Sequence, residues 1–140
     1  MILELCATPG EVMRAVETLQ AFGREKHIPE RELFGLALAL EECGSNIVNH
    51  ALQRDARQKF QVVIEHTGSA VTLELRDHGP EFDPTQVRVA APATATDDQL
   101  PGGWGVQLVR RYMDEIRYRR EAGENILRLT KRLVPADREE

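Results

Sequence analysis

One stretch of the chain carries an acid and two amides at the spacing of helical turns. Glu42, Asn46 and Asn49 recur at intervals that a helix would place along one face, with His50 beside them. An ordinary solvated face is the plain alternative, but such faces favour Lys and Arg, and neither occurs in residues 33–53. The pattern favours a carboxylate that accepts a proton and an amide oxygen that binds Mg²⁺.

A second polar cluster follows a stretch of alternating apolar residues and reads Asp-His-Gly-Pro-Glu-Phe-Asp over residues 77–83. A simple turn is one interpretation, because Gly and Pro commonly end strands. Alternatively, the carboxylate of Asp77 accepts a hydrogen bond from an adenine amino group at the strand end. Gly79 would then let the backbone approach the ring closely.

Three glycines, Gly102, Gly103 and Gly105, come directly before a helical pattern. A flexible hinge is one interpretation, and a nest of backbone N–H groups that binds phosphate at a helix N-terminus is the other. The dinucleotide fingerprint is excluded because Leu108 stands at its last glycine position, and no Walker A lysine follows.

Periodicity predicts the elements that position these motifs. In chain order they are a strand at 2–7, helices at about 8–26 and 29–52, strands around 60–64 and 71–75, a helix at about 105–114, and a hairpin of 116–120 and 126–133 around Gly123. Thr8, Pro9 and Glu11 predict an N-cap, a first helical residue and a capping box. The order predicts helices on one face of a mostly antiparallel sheet.

Composition limits the class of protein. The chain has 140 residues, 41% hydrophobic and 29% charged, which predicts one globular domain over residues 1–140. The net charge of −5 and the aromatic content of 5% argue against direct nucleic-acid binding. No secretory signal is visible, and no apolar segment reaches the roughly 20 residues that a membrane helix needs. Cys6 and Cys43 lack metal-ligand spacing and are expected to be buried thiols in a cytoplasmic protein.

In their fixed order, the three motifs resemble those of the GHKL (Bergerat-fold) ATPases. Residues 38–51 are similar to the N-box of the anti-sigma-factor serine/threonine kinases of bacterial partner-switching systems. Residues 102–106 and 113–116 are similar to the second glycine box of those kinases and the helix that follows it. The resemblance covers nearly the whole chain and implies a Bergerat fold, an α/β two-layer sandwich with a mostly antiparallel sheet and helices on one face.

The resemblance also implies roles for residues of the predicted second helix. Glu42 is expected to be the general base that activates a Ser or Thr hydroxyl on a STAS-domain partner. Asn46 is expected to bind the Mg²⁺ ion of ATP. Asn49 and His50 are expected to belong to the same nucleotide-binding face, with His50 near the phosphates.

Further nucleotide contacts are implied elsewhere in the chain. Asp77 is expected to recognise adenine, with Gly79 and Phe82 in the glycine box beside the ring. Residues 83–101 are expected to form the ATP lid. The expected triphosphate contacts in the second glycine box are Gly102, Gly103, Gly105 and Val106.

The resemblance implies two partners, a STAS-domain anti-anti-sigma-type protein and a sequestered sigma factor or similar regulator. Arg14 is expected to contact a partner, and the kinase itself is expected to be a homodimer.

Three positions depart from the family pattern: Glu81 replaces a glycine, Asn125 replaces a threonine, and Arg88 is the single cation of the lid. Phosphoryl transfer depends on charge stabilisation. A nucleotide-gated binding switch without kinase activity is therefore the alternative.

Overall fold

A computed structural model describes residues 1–86 and 103–133. Its strands are β1 (Ile2–Cys6), β2 (Lys59–His66), β3 (Ala70–Asp77), β4 (Glu115–Glu121) and β5 (Glu124–Arg132), and its helices are α1 (Pro9–Glu25), α2 (Glu30–Asn46) and α3 (Gly103–Tyr112). The strands form one antiparallel sheet in the order β1-β2-β3-β5-β4. A π turn, Ile47–Ala51, continues α2, and a 3-10 turn, Pro84–Gln86, follows the loop after β3.

The core lies between the sheet and the helices, which gives the predicted two-layer architecture. Alternate residues of β2 and β3 face the helices and are buried, namely Phe60, Val62, Ile64, Val71, Leu73 and Leu75. They belong to the same buried cluster as Leu33, Leu36 and Leu40 of α2. Burial of one such side chain stabilises the fold by about 1.5–3 kcal/mol. Packing against this core therefore fixes how α2 lies on the sheet.

The N-terminus of α1 is capped largely as the sequence predicts. The hydroxyl of Thr8 accepts a hydrogen bond from the N–H of Glu11 at 3.2 Å, and Pro9 is the first helical residue. The Glu11 carboxylate, however, accepts from the N–H of Cys6 at 3.2 Å, where a regular capping box would use Thr8. Glu11 thereby connects the end of β1 to the first turn of α1.

Two helix boundaries and one cysteine differ from the sequence prediction. The regular part of α2 ends at Asn46, because the wider π turn begins at Ile47. Helix α3 spans Gly103–Tyr112, whereas the predicted helix covers about 105–114. It starts earlier because glycine is compatible with helical geometry, and it ends earlier because the chain then turns into β4. Cys43 is buried as predicted, whereas Cys6 is partly exposed at the end of an edge strand.

The opposite face of the sheet carries ion pairs. The buried carboxylate of Glu74 lies 2.9 Å from the guanidinium of Arg76 and 3.6 Å from that of Arg128. Arg119 likewise pairs with Glu121 at 3.0 Å. These arginines are therefore paired with carboxylates on the same face.

In residues 1–86 and 103–133, no helix is both long and apolar enough to cross a bilayer.

Candidate functional site

A narrow pocket opens between α2, the end of β3 and the hairpin of β4 and β5. Its lining comprises Cys43, Asn46, Ile47, Ala51, Leu75, Asp77, Phe82, Pro84, Tyr118, Asn125 and Leu127. Three residues that the sequence nominated for nucleotide binding, Asn46, Asp77 and Phe82, thus meet in one cavity. Its walls are largely apolar with a few convergent polar groups, as in sites for small molecules.

Asp77 is the buried polar centre of this pocket, with only 3% of its surface exposed. Its Oδ1 atom accepts hydrogen bonds from the N–H of Gly79 at 2.8 Å and from the side-chain amide of Asn125 at 2.9 Å. Among the described residues, no group donates a hydrogen bond to Oδ2. The carboxylate is therefore held in one orientation, with Oδ2 left for a ligand.

Asn125 connects Asp77 to the loop that follows β3. Its Nδ2 atom also donates to the carbonyl of Pro80 at 2.9 Å. Its Oδ1 atom accepts from the N–H of Phe82 at 3.2 Å, from the Tyr118 hydroxyl and from the Arg120 guanidinium at 3.1 Å. A buried amide with every polar atom bonded is a rigid support. Asn125 therefore fixes the loop as well as the carboxylate.

Gly79 lies where a side chain would not fit. A Cβ atom at this position would stand 2.8 Å from the carbonyl oxygen of Ala51 and 3.0 Å from Oδ1 of Asp77. The Gly79 carbonyl accepts a hydrogen bond from Arg120 at 2.8 Å. The close approach of the loop to the π turn thus requires glycine.

Glu42 lies one helical turn before Asn46 and is half-buried. Burial disfavours its charged form, and the neighbouring Glu41 adds repulsion, so that the pKa of Glu42 is raised above its ordinary value. A raised pKa makes a carboxylate a better proton acceptor.

Burial, reinforced by the charge of Glu42, raises the pKa of the adjacent Cys43 thiol to about 12. Cys43 is therefore a packing residue and not a nucleophile.

Asn49 and His50 lie on the π turn, and both are exposed. They are close in sequence to Asn46, Ile47 and Ala51, which line the pocket, but they do not line it themselves. The carboxamide oxygen of Asn49 accepts a hydrogen bond from Nε of Arg54 at 2.7 Å. The structure thus places Asn49 against a cation that the sequence analysis did not select.

The glycine-rich motif is described in part. Gly103, Gly105 and Val106 belong to the first turn of α3, where backbone N–H groups have no partner within the helix. Gly102 and the predicted lid residues 87–101 lie outside the described residues.

Arg14, the residue selected for partner contact, is exposed on α1. Its guanidinium pairs with the carboxylate of Glu11 at 2.7 Å. A partner that binds Arg14 would exchange or share this ion pair.

Tyr118 and Arg120 are site residues that sequence reasoning missed. Ala122 and Gly123 both have positive φ angles, 52° and 80°, and form a tight turn between β4 and β5. The resulting register places Arg120 opposite Asn125. Alternation within β4 was the available signal, since it puts the half-buried Tyr118 on the face that the helices cover.

Comparison with known proteins settles which family the chain belongs to. The model of the histidine kinase-like ATPase domain matches residues 5–131. The chain belongs to this family. Serine/threonine-protein kinase BtrW of Bordetella bronchiseptica is 32% identical over 133 residues, which are 95% of this chain and 94% of that relative. The two matches confirm the resemblance to the GHKL ATPases, and the relative is named as a serine/threonine-protein kinase.

A solved structure supports the fold. This GHKL protein superposes on part of the crystal structure of the RsbU and RsbW domains of Rv1364c from Mycobacterium tuberculosis, with a TM-score of 0.69 at 19% identity. The match covers 95% of this chain and 31% of the longer chain. It confirms the Bergerat-type two-layer fold.

Proposed function

We propose that this protein binds ATP with Mg²⁺ and transfers the γ-phosphate to a Ser or Thr of a STAS-domain protein. The observation that carries the proposal is the shared pocket, which brings Asn46 of α2 to Asp77 of β3. The similarity to a relative named as a serine/threonine-protein kinase supports the type of reaction.

In this proposal, the buried end of the pocket binds adenine. Oδ2 of Asp77 accepts a hydrogen bond from the adenine amino group, while Oδ1 stays bonded to Gly79 and Asn125. The ring packs near Phe82, and the absence of a Cβ atom at Gly79 keeps the loop close enough for contact. Asn125 acts here as a positioning residue.

The residues present suit a magnesium ion that is bound together with nucleotide. In the described residues, no three His, Cys, Asp or Glu side chains form a preformed metal cluster. Mg²⁺ commonly takes few protein oxygens and completes its coordination with phosphates and water. Asn46 is suited to supply such an oxygen, and the ion would neutralise charge on the phosphates.

The phosphates are proposed to extend from the pocket toward the N-terminus of α3. Asn49 and His50 lie on the π turn that follows Asn46, and they are proposed to form one side of this path. On the other side, the expected contacts are the backbone N–H groups of the glycine-rich motif and the residue after it, namely Gly102, Gly103, Gly105 and Val106.

Glu42 is proposed to be the general base. Its carboxylate takes the proton of the Ser or Thr hydroxyl, whose oxygen forms a bond to the γ-phosphorus of ATP. The bond between this phosphorus and the oxygen that bridges to the β-phosphate breaks, and the electron pair leaves with ADP. The partly buried position of Glu42, with its raised pKa, supports this role.

The same protein is proposed to hold a second target, a sigma factor or a similar regulator, while its STAS-domain antagonist is phosphorylated. Binding of the two partners is exclusive in this scheme, with Arg14 on the exposed side of α1 as one contact. We further propose that it functions as a homodimer in the cytoplasm, where such regulators act. The similarity to the relative named as a serine/threonine-protein kinase supports the phosphorylation step of this scheme.

The test is transfer of labelled γ-phosphate from ATP with Mg²⁺ to a purified STAS-domain protein. We expect label on a Ser or Thr of that protein, and no label when Asn46→Ala replaces the wild type. Absence of transfer from a wild-type protein that binds ATP would refute the kinase proposal.

A nucleotide-gated switch without transfer is the second candidate. It is favoured by the composition of residues 83–101, in which Arg88 is the single Lys or Arg. In this case, a non-hydrolysable ATP analogue would support partner capture as well as ATP does. A kinase would instead release its STAS-domain substrate only when ATP can be cleaved.

A further inference from the structure

The chain reverses direction directly after the π turn through an unusual backbone. Gln53 and Arg54 have φ angles of 53° and 58°, and neither is a glycine. Two consecutive residues other than glycine with positive φ angles are uncommon, and this backbone conformation stores strain. The reversal is secured by hydrogen bonds from the N–H of Arg54 to the carbonyl of Val48 at 2.6 Å and from Asp55 to Leu52 at 3.0 Å.

This reversal brings a positive charge back onto the helix. Nε of Arg54 donates to the carboxamide oxygen of Asn49 at 2.7 Å. Asn49 follows Asn46 by less than one helical turn. The guanidinium of Arg54 thus lies beside the polar face that carries the proposed Mg²⁺ ligand.

Arg54 differs in its pairing from the other arginine of this loop. Arg57 is engaged by the carboxylate of Asp55 at 3.0 Å. Within residues 1–86 and 103–133, Arg54 forms no ion pair with a carboxylate. Its interaction with a neutral amide orients the side chain and does not itself neutralise the charge.

A triphosphate needs cations beyond one Mg²⁺ ion, because its phosphates carry more negative charge than the ion neutralises. No Lys or Arg occurs in residues 33–53, and residues 83–101 supply only Arg88. Arg54 is the cation that the described structure places on the Asn46 side of the site. A guanidinium also presents several N–H groups in a planar fork that suits phosphate oxygens.

We propose that Arg54 binds the terminal phosphates of ATP, a role that rests on the proposed function. Nε stays on the carboxamide oxygen of Asn49, while the two terminal nitrogens donate to oxygens of the β- and γ-phosphates. In this proposal, the strained reversal at Gln53 and Arg54 orients the Arg54 side chain toward the phosphates.

The test compares Arg54→Gln with Arg57→Gln, which removes the same charge from the same loop. Affinities for ATP, ADP and AMP are measured with Mg²⁺ by calorimetry on the full chain. For Arg54→Gln we expect ATP affinity to fall about tenfold or more, ADP affinity to fall less and AMP affinity to stay unchanged. Arg57→Gln should match the wild type for all three nucleotides, and Arg54→Lys should restore part of the loss.

Two outcomes would overturn the role of Arg54 while the proposed function stands. One is an ATP affinity of Arg54→Gln that equals that of the wild type. The other is an equal loss for all three nucleotides, which would indicate a structural defect. A wild-type protein that binds none of the nucleotides would instead overturn the proposed function, and the role of Arg54 with it.

Discussion

The side-chain amide of Asn125 donates a hydrogen bond to the carboxylate of Asp77 at 2.9 Å, across paired positions of β3 and β5. The same amide donates to the carbonyl of Pro80 at 2.9 Å. A threonine hydroxyl, which many GHKL proteins carry here, has one proton and cannot serve both acceptors. Asn125 therefore couples the orientation of Asp77 to the position of the following loop.

Replacement of Asn125 by Ala should weaken both nucleotide binding and the fold. The variant loses five hydrogen bonds of the buried amide, including its support of Asp77. We expect ATP affinity to fall about tenfold and the free energy of unfolding to fall by about 1–3 kcal/mol. Calorimetry and denaturant unfolding measure the two effects. Thr130→Ala on the same strand is the control, and an unchanged ATP affinity in Asn125→Ala would contradict this role.

Gly79→Ala should damage the pocket, whereas Gly68→Ala should be tolerated. The new methyl group would meet the backbone oxygen of Ala51 at 2.8 Å, and a backbone atom cannot move aside as a flexible side chain does. No atom lies within 4 Å of the corresponding position at Gly68. We expect Gly79→Ala to cost about 1–3 kcal/mol of stability and to reduce ATP affinity. Equal unfolding midpoints for the two variants would show that the contact is relieved without cost.

The rate of phosphoryl transfer should depend on pH through Glu42. Its raised pKa means that, as pH falls, the carboxylate is protonated earlier than an ordinary glutamate and ceases to act as a base. Glu41→Gln removes the repulsion that contributes to this shift, so the acidic limb of the profile of kcat/KM should move to lower pH. A limb that stays in place or moves to higher pH would contradict the assignment of this titration to Glu42.

Cys43 should resist thiol reagents in the native protein. Its thiol is buried, and its pKa of about 12 keeps it protonated at neutral pH, whereas the thiolate is the reactive form. In a Cys6→Ser background, labelling should be slow in the native state and rapid in denaturant. Labelling of the native protein at the rate of the denatured chain would show that the wall of the pocket opens readily.

Most of the fold could be predicted from the sequence because local patterns determine it. Alternation in β2 and β3 predicts the buried face of the sheet, and Thr8 with Pro9 predicts the start of α1. The π turn could not be predicted in this way. Apolar residues continue at helical spacing through 47–51, while the change from regular to wider hydrogen bonding leaves no mark in the composition.

The site shows the same division between local and long-range information. Asp77 and Gly79 form a recognisable local turn, and Asn46 stands on a helix face of unusual composition. Tyr118 lines the pocket, and Arg120 donates to Gly79 and Asn125 beside it. Both positions result from the pairing of β4 with β5, so their roles depend on register. Arg54 was missed for another reason: residues other than glycine rarely adopt a positive φ, so the sequence gives no sign of the reversal.

The most direct measurement is single-turnover transfer of phosphate from ATP to the STAS-domain protein by Glu42→Gln, with Glu41→Gln as the matched control. Both substitutions remove one carboxylate, but Glu41 is exposed and has no assigned part in the reaction. We predict that Glu42→Gln binds ATP with Mg²⁺ nearly as the wild type does and loses about 100-fold or more in transfer rate, while Glu41→Gln retains transfer. Transfer by Glu42→Gln at the wild-type rate would contradict the central claim that Glu42 is the base of a protein kinase.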